Sequence, residues 1–184
     1  MSEVVPNVEI SRAENPADQA EVKSLFLEYA ESLDFSLCFQ DFDREMETFP
    51  EMYGPPDGLL LLARVEGAAA GATGLRLESS DQGRRVCEMK RLYARPRFRR
   101  LGLGRRLTET LIAAACDLGY AAMRLDTMPS MVTATALYRT LGFRPIANYN
   151  QGPAELKHFE LNLEDHLARR SGRSDELVSR HAER

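Results

Sequence analysis

The segment Val86–Leu118, VCEMKRLYARPRFRRLGLGRRLTETLIAAACDL, constrains what this chain can become more than any other stretch. Val86 to Ala94 reads as a strand, and Pro96 ends it, because proline has no N–H to give to a ladder and restricts its neighbour. A turn dense in arginine and glycine follows, Arg99-Arg100-Leu101-Gly102-Leu103-Gly104. A helix then starts, with Leu103, Leu107, Leu111 and Leu118 on one face and Ala114 beside them. A strand running through a glycine turn into a helix aims bare backbone N–H groups at one spot, with the positive end of the helix dipole behind them. The glycines let a ligand come close to the main chain. This arrangement predicts a site for a phosphate.

Two common phosphate loops are excluded. A Walker A loop needs Lys-Ser/Thr at its end, where Arg105 and Arg106 stand, and a Rossmann loop needs a third glycine where Leu107 stands. What remains is Arg99-x-x-Gly102-x-Gly104. It resembles the acyl-CoA pyrophosphate loop of the GNAT-type N-acetyltransferase superfamily, Gln/Arg-x-x-Gly-x-Gly/Ala. A second stretch, Ala134-Thr135-Ala136-Leu137-Tyr138-Arg139-Thr140-Leu141-Gly142-Phe143, is similar to that superfamily's Asn-x-x-Ala-x-x-Leu-Tyr-x-x-x-Gly-Phe. Met131 stands where the asparagine would be, so any hydrogen bond that asparagine makes is absent or supplied elsewhere. The matched segments and the order of elements run over residues 59–163.

The resemblance implies an α/β (α+β) three-layer fold. Its central mixed, mostly antiparallel sheet is splayed at two parallel strands, with helices on both faces. It also implies a domain over 1–163 followed by a polar tail, 164–184. The activity implied is transfer of an acetyl group from acetyl-CoA to an amine in a ternary complex, without a metal. The alternative is a non-catalytic acyl-CoA-binding protein on the same fold. Many such proteins pair through sheet edges, so a homodimer belongs with these expectations.

Size and composition agree with one globular domain: 184 residues, 43% hydrophobic and 28% charged, give neither a disordered chain nor a membrane span. The N-terminal MSEVVPNVEI lacks a basic stretch followed by an apolar run, so a cytoplasmic location is expected. Cys38, Cys87 and Cys116 are scattered and odd in number, which suits a reducing compartment and neither a disulfide framework nor a metal cluster. The net charge is −4, yet residues 84–106 carry ten Lys/Arg against the single acid Glu88. One basic segment on an acidic chain favours a local anionic ligand over general nucleic-acid binding, which would also call for interleaved aromatics.

The remaining elements follow from pattern. Val8–Arg12 reads as an edge strand, and Asn15-Pro16 opens a helix carrying Val22, Leu25, Phe26, Tyr29 and Leu33. Asp43–Phe49 is a second short helix in an aromatic and acidic stretch, closed by Gly54-Pro55-Pro56-Asp57-Gly58. Leu59–Val65 is a continuously apolar, buried strand. Ala69–Glu78 is its partner, and Ser79–Arg84 is a polar hairpin loop. The alternation in Val86–Ala94 is broken, which predicts a bulge. Ala121–Met128 should lie parallel to it with the helix as crossover. A helix at Met131–Leu141, a strand from Phe143 to Ile146, a loop at Ala147–Ala154 and a last strand at Leu156–Leu163 complete the chain. Beyond it, a frayed helix or disordered tail is expected.

Within the resemblance, the pantetheine arm would pair with backbone groups of Leu92, Tyr93 and Ala94 where the strands splay, near residues 92 and 126. The pyrophosphate would lie against Arg99, Arg100, Leu101, Gly102, Leu103, Gly104 and Arg105, and an amide near Leu92 would face the developing oxyanion. Glu88 lies at the spacing from the loop where some such enzymes carry a glutamate base. A strand rises about 3.3 Å per residue, which puts Glu88 about 13 Å along from Leu92 and calls for a water relay. A carboxylate paired with Lys90 or Arg124 is the alternative. Lys90 and Arg91 are alternatives for holding an acidic group of the acceptor. Tyr138 is the candidate general acid, against a tyrosine that merely packs on the sheet. Phe39, Asp126 and Tyr149 are candidates for the acceptor side, with Asp126 alternatively a cap for the following helix.

Overall fold

The computed structural model describes residues 6–33, 35–37, 41–81, 83–150 and 152–168. Phe39 therefore lies outside the described residues. The chain builds a seven-stranded sheet from β1 (Val8–Arg12), β2 (Leu59–Val65), β3 (Ala68–Asp81), β4 (Arg84–Ala94), β5 (Ala122–Thr127), β6 (Arg144–Ile146) and β7 (Lys157–Asn162), in the order β1-β2-β3-β4-β5-β7-β6. Every neighbouring pair is antiparallel except β4–β5. The helices are α1 (Pro16–Glu31), α2 (Phe42–Glu47), α3 (Leu103–Asp117) and α4 (Val132–Thr140).

Burial on two sides of the sheet explains the unbroken apolar run of β2. Leu59, Leu61, Ala63 and Val65 face the α3 side, while Leu60 and Leu62 face α1. Helix α1 is started by Asn15, whose side chain accepts from the Asp18 N–H at 2.9 Å, and it buries Val22, Leu25 and Phe26. Each such side chain removed from water stabilises the fold by about 1.5–3 kcal/mol. Helix α3 presents Leu103, Leu107, Leu111 and Ile112 to the other core. Tyr53 crosses the α1-side core, and its ring occupies the space that a Cβ on Gly74 would need, 2.4 Å away.

The expected bulge sits in β4. The register steps from Ala72↔Tyr93 to Gly74↔Lys90, so β4 sets three residues against two of β3, and Arg91 takes a left-handed φ of 60°. The bulge inverts side-chain parity. Met89 before it and Leu92 after it both pack on the α3-side core, whereas Arg91 and Tyr93 turn toward α1 and α2. One strand thereby delivers Glu88, Lys90, Arg91 and Tyr93 to a single face.

Strands β4 and β5 pair only from Val86↔Ala122 to Glu88↔Arg124. The splay thus opens four residues before Leu92, earlier than the sequence predicts. A second correction concerns Ser79–Arg84. β3 continues to Asp81 and β4 begins at Arg84, because Ser79, Ser80 and Asp81 pair with Val86, Arg85 and Arg84. The polar residues there mark a solvated strand end instead of a loop. Residues 163–168 are helical, and the rest of the expected tail lies outside the described residues.

Candidate active site

The glycine turn has the backbone form its sequence predicts. After β4 a single 3-10 turn, Pro96–Phe98, leads to Arg100 at φ 72° and Gly102 at φ 70°, from which α3 starts. A left-handed φ strains any residue with a Cβ, which is why glycine suits this position. Leu101 and Leu103 anchor the turn in the core, while Arg99, Arg100 and Arg105 are exposed. No side chain caps α3 and its first turn holds no acid. The first closing bond of the helix runs from Arg106 N–H to the Gly102 carbonyl at 3.0 Å. The N–H groups of residues 103–105 therefore precede the helix's own ladder and remain the donors an anion needs. Arg105 also ties the turn to α4, donating to the Thr140 hydroxyl at 2.8 Å.

The basic segment is dispersed by the fold. Arg84 pairs with Glu160 and Arg85 with Asp57 at the end of the sheet remote from the turn. Arg91 pairs with Glu45 and Arg95 with Glu28. Arg97, Arg99 and Arg100 are left exposed about the turn, so the unpaired-looking stretch of the segment is confined there and does not form a continuous basic stripe.

Where β4 and β5 part, a narrow cleft opens to solvent. Tyr29, Phe35, Leu37, Met128, Met131 and Leu156 form much of its wall, and Lys90 and Asp126 lie on its floor. Lys90 Nζ stands 3.8 Å from Asp126 Oδ2 and 3.5 Å from Glu88 Oε1. Asp126 accepts from Asn150 Nδ2 at 2.9 Å and caps no helix: α4 starts at Val132, after Met131, without a side-chain cap. Met131, at the position of the missing asparagine, instead contributes its thioether to the cleft and to Thr127, 3.4 Å away.

Glu88 is 1% exposed and receives Arg76 at 2.7 Å and the Tyr149 hydroxyl at 2.8 Å. Burial works to raise its carboxyl, but the charges of Lys90 and Arg76 and the bonds from Tyr149 and Arg76 outweigh it and hold the group below the usual carboxylate range. Arg124, the other partner considered from sequence, binds Glu78 and Glu160. Tyr149 sits behind the cleft floor against Glu88; burial and that carboxylate push its phenol far up, so it remains a neutral donor. His158 meets the Tyr149 ring edge-on at 5.1 Å, and burial lowers its pKa from the ordinary imidazole value.

Tyr138 sits on α4 with its ring between Phe143 and Phe159. Burial raises its phenol strongly, and Tyr29 and Asp126 across the splay raise it further. Leu92, Tyr93 and Ala94 lie on the length of β4 that has no strand partner on its β5 side. The fold thus brings Lys90, Asp126, Tyr138, the β4 edge and the glycine turn to one end of the sheet.

Two residues of the surroundings escape sequence reading. Glu45 of α2, 1% exposed, holds Arg91 at 2.7 Å and accepts from the Tyr53 hydroxyl at 2.6 Å. Its signal was its place between Phe42 and Met46 on the apolar face of α2, where a charge needs a partner. Arg76 has no comparable signal, since an arginine on a strand is ordinarily solvated. Among the described residues no cluster of three or more His, Cys, Asp or Glu side chains is arranged around a metal, and no helix is long and apolar enough to cross a membrane.

A model of the acetyltransferase (GNAT) family matches residues 22–143. An uncharacterised N-acetyltransferase of Schizosaccharomyces pombe is 38% identical over 148 residues, covering 80% of this chain and 89% of the relative. One from Dictyostelium discoideum is 28% identical over 203 residues, covering 79% and 93%. An acetyltransferase of Salmonella typhimurium, solved with its cofactor acetyl-CoA, superimposes with a TM-score of 0.63 at 22% identity over 85% of this chain and 94% of that one. A GNAT-family acetyltransferase of Staphylococcus aureus gives 0.67 at 19% identity, over 85% and 99%. The chain belongs to the GNAT acetyltransferase family, and its class is that of an acetyl-CoA-dependent N-acetyltransferase.

Proposed function

We propose that this protein moves an acetyl group from acetyl-CoA directly to the amine of a small acceptor seated in the Lys90–Asp126 cleft. The observation that carries this reading is the juxtaposition of the uncapped Gly102 turn with the unpaired edge of β4. The turn and helix donors of residues 100–105 would hold the pyrophosphate, with Arg99, Arg100 and Arg105 around it. Leu92, Tyr93 and Ala94 would pair with the pantetheine amides as an added strand does. An amide near Leu92 would donate to the thioester oxygen as negative charge builds there.

Acetyl transfer forms one N–C bond and breaks one C–S bond. The acceptor ammonium gives up one proton before it attacks and its nitrogen a second as the amide forms. The leaving thiolate takes up one, so a single proton goes to solvent. Tyr138 is the proposed donor to sulfur; a raised phenol pKa keeps its proton available at neutral pH. Glu88 is the proposed ultimate proton acceptor, acting through water from behind Lys90. Its lowered pKa makes it an ionised but weak base, and this supports a relay over direct abstraction. Asp126 would meet the acceptor, with Tyr149 holding Glu88 in place.

Calorimetry with acetyl-CoA, followed by a thiol-release assay against a panel of amines, tests the reading. Binding with amine-dependent release of CoA is expected, and failure to bind acetyl-CoA would overturn it.

A further inference from the structure

We infer that Met131 sets the length of the acyl group the donor can carry: its side chain closes the cleft behind a two-carbon acyl and excludes acyl groups of four carbons or more. The inference rests on the acetyl-transfer reading above and names the residue that keeps the donor short.

The transfer reading runs the pantetheine arm along Leu92, Tyr93 and Ala94, the length of β4 beyond its pairing with β5. The acyl end then comes to the point where the two strands have parted. The cleft there is lined by Met89, Lys90 and Arg91 from β4 and by Asp126, Thr127 and Met128 at the end of β5. Its volume is about 40 Å³, room for about three water molecules. An acetyl group brings one carbonyl and one methyl and fits that space. A butyryl group adds two methylenes, each about as large as a water molecule, and the space has to widen to admit them.

Much of this wall is fixed from behind. Met89 is packed in the α3-side core, and Arg91 is bound by both oxygens of Glu45. Lys90 stands between Glu88 and Asp126, and Asp126 accepts from Asn150. Met131 closes the side toward α4. It stands directly before that helix, which also carries Tyr138, so one element meets both the sulfur and the acyl end. The Thr127 hydroxyl lies 3.4 Å from the Met131 sulfur, which ties the thioether to the end of β5. An apolar thioether packs well against a methyl group. Its Cγ, Sδ and Cε occupy the room that a longer chain needs, and extra methylenes forced into a filled site drive side chains off their rotamers.

The test measures binding of free CoA, acetyl-CoA, propionyl-CoA and butyryl-CoA to the full chain by calorimetry, with free CoA as the reference within each variant. The unaltered chain should bind butyryl-CoA about tenfold or more weakly than acetyl-CoA, as a methylene that does not fit an apolar pocket implies. Met131→Ala, which removes Cγ, Sδ and Cε, should shrink that gap by about tenfold. Met131→Val is a smaller truncation and should fall between. Met131→Leu conserves volume and should keep the original order. Val132→Ala alters the neighbouring residue, which is 70% exposed and does not line the cleft, and should keep it too. Far-UV circular dichroism reads the fold of each variant. Equal binding of acetyl-CoA and butyryl-CoA by the unaltered chain, or an undiminished gap in folded Met131→Ala and Met131→Val, overturns the inference and leaves the transfer reading intact. Absence of binding by acetyl-CoA and free CoA alike overturns the transfer reading, and the inference falls with it.

Discussion

Replacing Glu45 with alanine is the sharpest probe of how the site is held open. Arg91 is the bulge residue of β4, in a left-handed conformation that strains a side chain-bearing residue. Its guanidinium has a 3% exposed side chain, lies over the Phe42 ring at 5.0 Å, and is bound by both Glu45 oxygens, at 2.7 to 3.3 Å. Truncating Glu45 strands a buried cation and also strands the Tyr53 hydroxyl that donates to the same carboxylate. Removing one partner of a buried pair costs about 3–5 kcal/mol. That is a large share of the total stability of about 5–15 kcal/mol typical of a domain. In urea, at a slope of about 2–3 kcal/mol/M, the midpoint should fall by about 1–2.5 M. The control is Glu45→Met with Arg91→Met in a Tyr53→Phe background, which removes both charges and the stranded phenol together. It should recover most of the loss, because two absent charges leave nothing unpaired. Far-UV circular dichroism during urea titration reads all the variants. A loss under about 1 kcal/mol for Glu45→Ala, or a multiple variant no more stable than the single one, would refute the idea that this pair pins α2 to the bulge.

Three further outcomes are expected. Tyr138→Phe should slow turnover about a hundredfold or more while leaving acetyl-CoA affinity within about threefold, since only proton donation to sulfur is lost; equal turnover would remove Tyr138 from the mechanism. Gly102→Ala, which forces a Cβ into a φ of 70°, should weaken acetyl-CoA binding by about tenfold in calorimetry. Glu88 is held below its ordinary pKa, so its contribution to stability is intact above the unfolded value of about 4.3 and is lost as pH falls from there through the folded value. Glu88→Gln should flatten that acid limb in a dichroism-monitored pH titration, and an unchanged limb would show that other carboxylates govern it.

Local features of the chain determined the frame. Asn15-Pro16 starts α1 because an amide side chain caps free N–H groups and proline tolerates the first turn. The broken alternation of Val86–Ala94 disclosed the bulge because side-chain period in a strand is fixed at two. The turn through Gly102 was legible because both its conformation and its missing cap are written in adjacent residues. Only the tertiary structure decided which charges survive at the site. Glu88 meets Arg76 across twelve residues, Arg91 meets Glu45 across 46, and Tyr149 reaches Glu88 across 61. Strand order and packing set such pairings, and charge energies depend on distance and burial. The sequence could therefore show a basic segment, while the fold neutralised most of it and kept Lys90 beside Asp126 at the cleft floor.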